Sequence, residues 1–371
     1  MIERLYVNNY RCLVNFELIT KDMPTALLIG ANGSGKSSIR FALQTLQSVA
    51  RGVNRVRDLL QPEDFSYGNT ETPLRIEIEA VIAGRRYKYS VAFDYPRGFK
   101  ELRVFDESLT SESHTVYTRT QATVSIPGSA RRSEAQFQLD WHLVALPIIQ
   151  VRSDPDDLSI FKDWLARMVI LAPVPSLMSG DSADLTLESH VESQNLGEWF
   201  SGLLGSFPAA YSRIEQYLRS VIPDFGDIQQ VSVGPNVKRM NLSFRLENKT
   251  MRIPFKYLSD GEKCFLLAGV VLAANQAYGP LFCFWDEPDN FLSLSEVGHF
   301  IIELRRAFGV GVGGQLLVTS HNSEAIRKFG NENTLVFYRN SHLEPTLVRR
   351  LEELTVHGDL VEALIRGDVG P

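Results

Sequence analysis

Several features are scarce or missing in this sequence. Its 371 residues include three cysteines, Cys12, Cys264 and Cys283, which lie among apolar residues and show no metal-ligand spacing. Scattered thiols are typical of free cysteines in a reducing compartment, so we expect a cytoplasmic protein without disulfides. No apolar run approaches the ~20 residues of a membrane-spanning helix, and the first residues lack the apolar core of a secretion signal. We therefore expect no membrane partner.

A basic surplus, internal repeats and a long coiled-coil pattern are also missing. The formal net charge of −6 argues against a surface coated with basic residues, although a local basic groove remains compatible. Prolines interrupt the chain between 147 and 223, so this part cannot be one long coiled coil. The composition, 44% hydrophobic and 22% charged, is ordinary for a globular protein. At this length we expect one large domain that carries inserted lobes.

Hydrophobic periodicity gives the order of the elements. Alternation predicts two short strands within 5–18 and a hairpin from Leu74 to Phe93 that turns at Gly84. Helical spacing dominates from 156 to 222. From 265 to 318 helices alternate with short buried strands, which implies a parallel sheet covered on both faces. We expect an α/β fold with a mixed or parallel sheet, an antiparallel β-lobe and an inserted helical lobe, divided into 1–135, 136–235 and 236–371.

The segment from Gly30 to Ser37 fits the pattern G-x-x-x-x-G-K-[ST] and lies between an apolar strand and a helix. Its glycines allow backbone N–H groups to turn toward phosphates, and the helix N-terminus adds partial positive charge. Lys36 is expected to neutralise the β- and γ-phosphates of ATP, and the Ser37 hydroxyl to ligate Mg²⁺. The alternative is a turn that is only rich in glycine, and the apolar strand before the segment and the helix after it disfavour this alternative. The residues of this loop predicted to bind nucleotide are Asn32, Gly33, Ser34, Gly35, Lys36, Ser37 and Ser38.

Two carboxylates, Asp286 and Glu287, follow the apolar strand that ends at Trp285. Unpaired charges at the end of a buried strand are costly, and a bound Mg²⁺ would account for them. Asp286 is expected to hold the hydrated metal, while Glu287 orients or deprotonates the attacking water. The alternative is an ordinary acidic turn, which the upstream phosphate loop disfavours.

A histidine, His321, follows a further apolar strand that begins at Leu316. Parallel strands carry ligands at their carboxyl ends, so we expect His321 beside the phosphate loop, in contact with the γ-phosphate. The alternative is a histidine satisfied on the surface or in the core. The predicted catalytic residues are thus Lys36, Glu287 and His321.

The stretch Ser259-Asp260-Gly261-Glu262 precedes a long apolar helix. By itself it is a good helix start, with Ser259 or Asp260 as the cap. Placed between the phosphate loop and the acidic strand, it resembles the signature motif of ABC ATPases. The resemblance implies a head-to-tail homodimer with two ATP molecules and Mg²⁺ between its subunits. Ser259, Gly261 and Glu262 of one subunit would then bind the γ-phosphate held by the other.

Within that superfamily, the opening Asn8-Asn9-Tyr10-Arg11 together with Asn32-Gly33-Ser34 is similar to the heads of SMC, RecF and OLD-type proteins. The resemblance covers roughly the first 50 residues and the stretch 255–340. It implies that Arg11 lies near the phosphates and that a glutamine links Mg²⁺ to the lobe, for which Gln61 is our candidate. About 50 residues follow His321, so we expect no attached Toprim nuclease.

Three functions are compatible with these motifs. The leading one is an ATP-driven switch that controls a separate effector, a nuclease or toxin, as in the bacterial anti-phage systems that stand-alone relatives resemble. A RecF-like clamp on DNA is the first alternative, and a scaffold that holds ATP with little turnover is the second. A transporter subunit is the least supported. Basic residues available for DNA phosphates are Arg51, Arg55, Arg57, Arg131, Arg132, Lys238, Arg239, Arg305 and Arg306.

Overall fold

The computed structural model describes residues 1–128, 134–150, 156–309 and 313–354. Its strands are β1 Ile2–Asn8, β2 Phe16–Ile19, β3 Thr25–Ile29, β4 Leu74–Ile82, β5 Arg85–Asp94, β6 Arg103–Ser111, β7 His114–Thr120, β8 Thr123–Ile126, β9 Ala135–Gln138, β10 Val169–Leu171, β11 Asp181–Ser182, β12 Phe225–Ser232, β13 Lys238–Leu246, β14 Lys249–Pro254, β15 Phe282–Asp286, β16 Gln315–Thr319, β17 Thr334–Tyr338 and β18 Leu347–Arg350. Its α-helices are α1 Lys36–Ala50, α2 Asp157–Ala166, α3 Leu196–Ser206, α4 Ala210–Val221, α5 Asp260–Tyr278, α6 Leu294–Phe308 and α7 Ser323–Phe329. Single 3₁₀ turns lie at Val56–Asp58, Pro62–Asp64, Ser66–Gly68, Phe255–Tyr257 and Leu351–Glu353.

The central sheet has the strand order β10-β15-β16-β3-β17-β18. Its first five strands are parallel, and β18 returns antiparallel to β17. All five residues of β3 and of β16 are buried, as expected for strands covered on both faces. The first five strands therefore end at the same edge of the sheet.

Alternate residues of β3 show how the two faces are covered. Leu28 packs into a core that includes α1, α2 and the β-lobe, whereas Leu27 packs into a second core formed with α3 to α6. Helix α5 belongs entirely to the second core, since Lys263 through Asn275 are buried without interruption. A helix that is apolar all round has to lie inside the protein.

The β-lobe is an antiparallel sheet of eight strands in the order β2-β1-β4-β5-β6-β7-β8-β9. Strand β4 reads buried and half-buried in strict alternation, as the sequence pattern predicts. A third sheet contains β11, β13 and β12, with β14 paired to β13. The predicted hairpins β4–β5 and β13–β14 are both present.

The middle of the chain contributes more than helices. Strand β10, which lies within the segment 136–235, pairs in parallel with β15 and so joins the central sheet. A three-residue apolar strand carries too little periodicity to be recognised in the sequence. The predicted boundaries after 135 and 235 stay predictions. Across the residues that the structure describes, no helix has the length and apolar character that would let it cross a membrane.

Candidate functional site

The carboxyl ends of β3, β15 and β16 bring the predicted chemical residues to one edge of the central sheet. β3 leads into the phosphate loop, β15 ends at Asp286, and β16 ends at Thr319, two residues before His321. Thr319 is the register partner of both Asp286 and Leu28. The structure thus brings these motifs together from positions that lie about 290 residues apart in the chain.

The phosphate loop turns through left-handed backbone at Gly33 and Gly35, with φ of 79° and 105°. These angles favour glycine because a side chain is strained there. Lys36 begins α1, and its Nζ donates to the carbonyls of Gly30 at 2.7 Å and Ala31 at 3.2 Å. Burial lowers the pKa of Lys36, while Glu287 and Asp286 raise it. The ammonium therefore lies inside the loop with two carboxylates near it.

Asp286 is the centre of a group of oxygen and nitrogen atoms. Its Oδ2 lies 3.5 Å from Ser37 Oγ and accepts from Arg40 Nε at 3.1 Å, and its Oδ1 accepts from Thr319 Oγ1 at 2.5 Å. Hard oxygen ligands on a carboxylate and a hydroxyl suit Mg²⁺. Within the described residues there is no group of three or more His, Cys, Asp and Glu that could hold a metal ion. Mg²⁺ in nucleotide sites is usually held by one or two side chains together with phosphates and water.

Glu287 adopts left-handed backbone with φ of 48°, which is strained for a residue with a side chain. Its N–H donates to Thr319 Oγ1 at 2.9 Å, so the backbone there is held by the neighbouring strand. One carboxylate oxygen accepts from Asn290 Nδ2 at 2.5 Å, and the other lies 3.5 Å from His321 Nε2. The side chain is therefore fixed by neighbours while remaining partly accessible.

The side chain of His321 is 43% exposed. Burial lowers its pKa, the charge of Lys36 lowers it further, and Glu287 and Asp286 oppose this. His321 is accordingly neutral at pH 7, and one ring nitrogen is available to donate and the other to accept.

The phosphate loop and Glu287 border a cleft of about 450 Å³, whereas Asp286 and His321 are not among the described residues that line it. Arg11 enters it from left-handed backbone with φ of 53°, and its Nε donates to Asp64 Oδ1 at 3.0 Å. Its guanidinium also lies 3.8 Å from the centre of the Phe41 ring, a cation–π contact. The lining residues are Arg11, Cys12, Asn32, Gly33, Ser34, Gly35, Lys36, Ser37, Ser38, Tyr67, Glu287, Arg339 and His342.

The signature-like residues are placed elsewhere. Ser259 caps α5: its Oγ accepts from the N–H of Glu262, and the carboxylate of Glu262 accepts from the N–H of Ser259 at 2.7 Å. This is a capping box, which presents the first turn of the helix outward. Ser259 is exposed and Gly261 is half-buried. Neither is among the described residues that line the cleft.

Gln61 is also not among these lining residues. It is exposed, and its side-chain Nε2 donates to the carbonyl of Arg57 at 2.6 Å. Its role as a metal-linking residue therefore stays a prediction that this geometry does not favour.

The site also contains residues that the sequence analysis does not predict there, among them Arg40, Tyr67, Arg339 and His342. Arg339 and His342 follow β17, a buried strand that ends in polar residues. This is the same pattern that identified Asp286 and His321, so the sequence carried a signal for them. Arg40 lies in the interior of α1, and Tyr67 in a 3₁₀ turn, where no sequence pattern marks them.

The basic residues considered for DNA are mostly paired in the structure. Arg55 and Arg57 both contact Glu101, Arg239 contacts Asp181, and Arg306 contacts Glu303. Arg131 and Arg132 lie outside the described residues. Paired guanidinium groups attract phosphates less strongly, so these contacts do not favour DNA binding, which stays a prediction.

Comparison with known proteins agrees with this geometry. Residues 26–327 match the family described as "AAA domain, putative AbiEii toxin, Type IV TA system". No curated protein matches the chain.

Solved structures of SMC head domains are similar in fold. A head bound to the C-winged helix domain of ScpA has a TM-score of 0.56 at 14% identity, covering 95% of this chain and 99% of that one. The head domain from Thermotoga maritima has a TM-score of 0.51 at 12% identity, covering 94% and 98%. A third, bound to the C-terminal domain of ScpA derived from Pyrococcus furiosus, has a TM-score of 0.51 at 14% identity, covering 95% and 97%.

These matches confirm the α/β fold with a P-loop sheet and the resemblance to ABC-type heads. The described residues form an SMC-like head without coiled-coil arms, with a phosphate loop at the edge of the parallel sheet. The family match spans well over half of the chain. The chain therefore belongs to this family of AAA-domain ATPases.

Proposed function

We propose that this chain binds ATP with Mg²⁺ in the cleft and hydrolyses it. The observation that carries the proposal is the placement of Lys36, Asp286 and Glu287 at one sheet edge, together with Ser37 and His321. A phosphate loop alone would support binding only. The added carboxylate, held beside an imidazole, provides the chemistry for hydrolysis.

Each residue has a distinct part in this scheme. Lys36 leaves the carbonyls of Gly30 and Ala31 and neutralises the phosphate chain. Ser37 and Asp286 would hold Mg²⁺, which when bound would supply charge neutralisation on the phosphate oxygens. Glu287 accepts a proton from water or orients it for attack on the γ-phosphate. Neutral His321 donates to the γ-phosphate from the neighbouring strand.

The complete site requires two subunits in this proposal. The signature residues Ser259 and Gly261 are accessible on the protein surface, outside the cleft of their own chain. The N-terminus of α5 carries partial positive charge suited to a phosphate. A second chain, docked head to tail, would place this helix end on the nucleotide of the first.

We further propose that ATP-dependent closure of this homodimer controls a separate effector protein. Two of the similar SMC heads were solved with domains of ScpA bound to them, which supports a partner-binding role for this fold. The family description refers to a toxin and a toxin–antitoxin system, which supports a nuclease or toxin partner in bacterial anti-phage defence.

The decisive experiment replaces Glu287 by Gln, which keeps the size of the side chain and removes its basicity. We expect phosphate release to fall by ~100-fold or more, and ATP to convert the variant to a stable dimer in light scattering. Glu332, an exposed residue outside the cleft, offers the matched control Glu332→Gln, with wild-type turnover. Undiminished hydrolysis by the Glu287 variant would contradict the assignment.

A further inference from the structure

The hairpin β17–β18 forms one wall of the phosphate loop. A Cβ atom added to Gly30 would lie 2.1 Å from the carbonyl oxygen of Phe337 in β17. A Cβ added to Gly35 would lie 2.4 Å from Thr346 Oγ1, just before β18. Gly33, between them, faces the same hairpin. Gly30 and Gly35 are therefore needed for close approach to this hairpin, whereas Gly33 is favoured by the left-handed turn of the loop.

Two residues hold this hairpin in place, Arg339 against the phosphate loop and Thr346 against Cys12. Arg339 Nε donates to the carbonyl of Glu344 at 2.6 Å, its Nη2 donates to the carbonyl of His342, and its Nη1 lies 3.4 Å from the carbonyl of Gly33. Thr346 N–H donates to the carbonyl of Cys12 at 2.9 Å. Because a guanidinium has a rigid fork of donors, Arg339 holds the turn and the phosphate loop together.

His342 occupies a different position in the same turn. It is exposed and lines the cleft, and its Nε2 lies 3.6 Å from the position of a Cβ on Gly33. Its ring makes no hydrogen bond to any other residue in the described ranges. In contrast to Arg339, His342 thus has a free donor directed at the phosphate loop.

Two buried hydroxyl groups near this turn also have no hydrogen-bond partner among the described residues. Ser34 Oγ and Thr346 Oγ1 belong to side chains that are 2% and 1% exposed. A buried hydroxyl without a partner is costly. Both lie where the phosphate loop meets the hairpin; Ser34 also lines the cleft, whereas Thr346 is not among the described residues that line it.

We propose that His342 donates a hydrogen bond to the phosphate chain of the bound nucleotide and that Arg339 is its positioning residue. The ligand class follows from the surroundings, since Arg11, Lys36 and Arg339 line the cleft against one carboxylate, Glu287. The neighbour of His342 is the phosphate loop, so a phosphate oxygen is closer at hand than the base. This inference rests on the proposed ATP binding in the same cleft.

The test measures binding of Mg·ATP and Mg·ADP by isothermal titration calorimetry, with Glu287→Gln in every protein to prevent turnover. His342→Ala should raise the Kd roughly 10-fold or more, as expected for the loss of a hydrogen bond to a charged group, whereas His342→Gln keeps a donor and should retain most of the affinity. Leu343→Ala is the matched control, because Leu343 lies in the same turn, is 83% exposed and does not line the cleft.

The positioning role of Arg339 requires a second comparison. Arg339→Lys keeps the charge and loses the fork, and it should weaken binding to a similar extent as His342→Ala. The double variant should be no weaker than either single variant, because both remove the same contact. Fully additive losses would overturn the positioning role.

The controls separate this inference from the proposed function. If the parent binds ATP, Lys36→Ala abolishes binding and His342→Ala has the parent affinity, the proposed function stands and the His342 contact is refuted. If the parent protein, which carries only Glu287→Gln, does not bind Mg·ATP, the result contradicts the proposed function itself. Thermal unfolding of each variant, expected to match the parent, shows whether the turn has kept its fold.

Discussion

Thr319 and Asp286 are register partners on adjacent strands, and the Thr319 hydroxyl donates to the Asp286 carboxylate at 2.5 Å. The same hydroxyl oxygen accepts the N–H of Glu287 at 2.9 Å. One fully buried side chain thus orients both the residue proposed to hold the metal and the proposed base. Its position is set by the pairing of β15 with β16, independently of any ligand.

The first prediction concerns this hydroxyl. Thr319→Val has nearly the same shape but removes the hydroxyl that donates to Asp286 Oδ1, while Arg40 still donates to Oδ2. The loss costs about 1–3 kcal/mol. We expect ATP turnover to fall by roughly 10- to 100-fold. The Mg²⁺ concentration needed for half-maximal ATP binding should rise, as measured by calorimetry. Thr319→Ser keeps the hydroxyl and should stay within a few-fold of the wild type, so equal losses in both variants would contradict this role.

The second prediction follows from the lowered pKa of His321. The usual pKa of His321 is 6.5, and its pKa in the folded chain is lower. At a pH between these two pKa values, the unfolded chain binds a proton on this residue and the folded chain does not. The contribution of His321 is therefore fully present above pH 6.5 and is lost as the pH falls through this window. Urea unfolding at stepped pH should show a smaller decrease for His321→Gln than for the wild type. If the free energy of unfolding fell equally steeply with pH below 6.5 in both proteins, the lowered pKa of His321 in the folded chain would be refuted.

The third prediction tests whether each ATP site combines the phosphate loop of one subunit with the signature residues of the other. Lys36→Ala and Ser259→Arg should each abolish ATP hydrolysis alone, the first through the phosphate loop and the second through the signature. In a head-to-tail heterodimer of the two variants, one site combines an intact loop with an intact signature. An equimolar mixture should recover roughly a quarter of the wild-type activity if subunits pair at random. Two separate sites within single chains would give no recovery.

The fourth prediction concerns Glu107, whose carboxylate is buried in the β-lobe. It accepts from Tyr89 and Tyr117 and from the N–H groups of Ala145 at 2.7 Å and Leu146 at 2.9 Å. These bonds attach the segment after β9 to the sheet. Glu107→Ala should lower the free energy of unfolding by about 3–5 kcal/mol, because several buried donors lose their acceptor. The midpoint of chemical denaturation measures this.

A surface exchange provides the comparison for Glu107. Glu112 is exposed and accepts one backbone hydrogen bond, from Arg86 at 2.7 Å. Glu112→Ala should change the free energy of unfolding by about 0.5–1.5 kcal/mol. If Glu107→Ala lowered the free energy of unfolding by no more than Glu112→Ala does, the buried hydrogen bonds of Glu107 would not be needed for the stability of the β-lobe.

Some residues of the candidate site are predictable from the sequence and others are not. Asp286 and His321 were predictable because each follows an apolar strand, and parallel strands bring their ends to one edge. Arg40 was not predictable, since an arginine within a helix is usually solvated, and only the strand order places it 3.1 Å from Asp286. Strand β10 escaped for a related reason, because its pairing with β15 is set by contacts far away in the chain.

The prediction for Gln61 rests only on its position before the β-rich stretch, because no physical constraint in the sequence selects this glutamine. In the structure its amide donates to the backbone carbonyl of Arg57. His342 lay within reach, because β17 also ends in polar residues.

The position of β3 in the central sheet has a consequence for biosynthesis. β3 pairs on one side with β16 and on the other with β17, so Leu27 has Val318 and Thr334 as its register neighbours. While the ribosome is still translating the intervening residues, both edges of this apolar strand are without partners and exposed to aggregation or to chaperones. In a nascent chain, the edge of the sheet that carries the proposed ATP site can therefore be completed only after β16 and β17 have been translated.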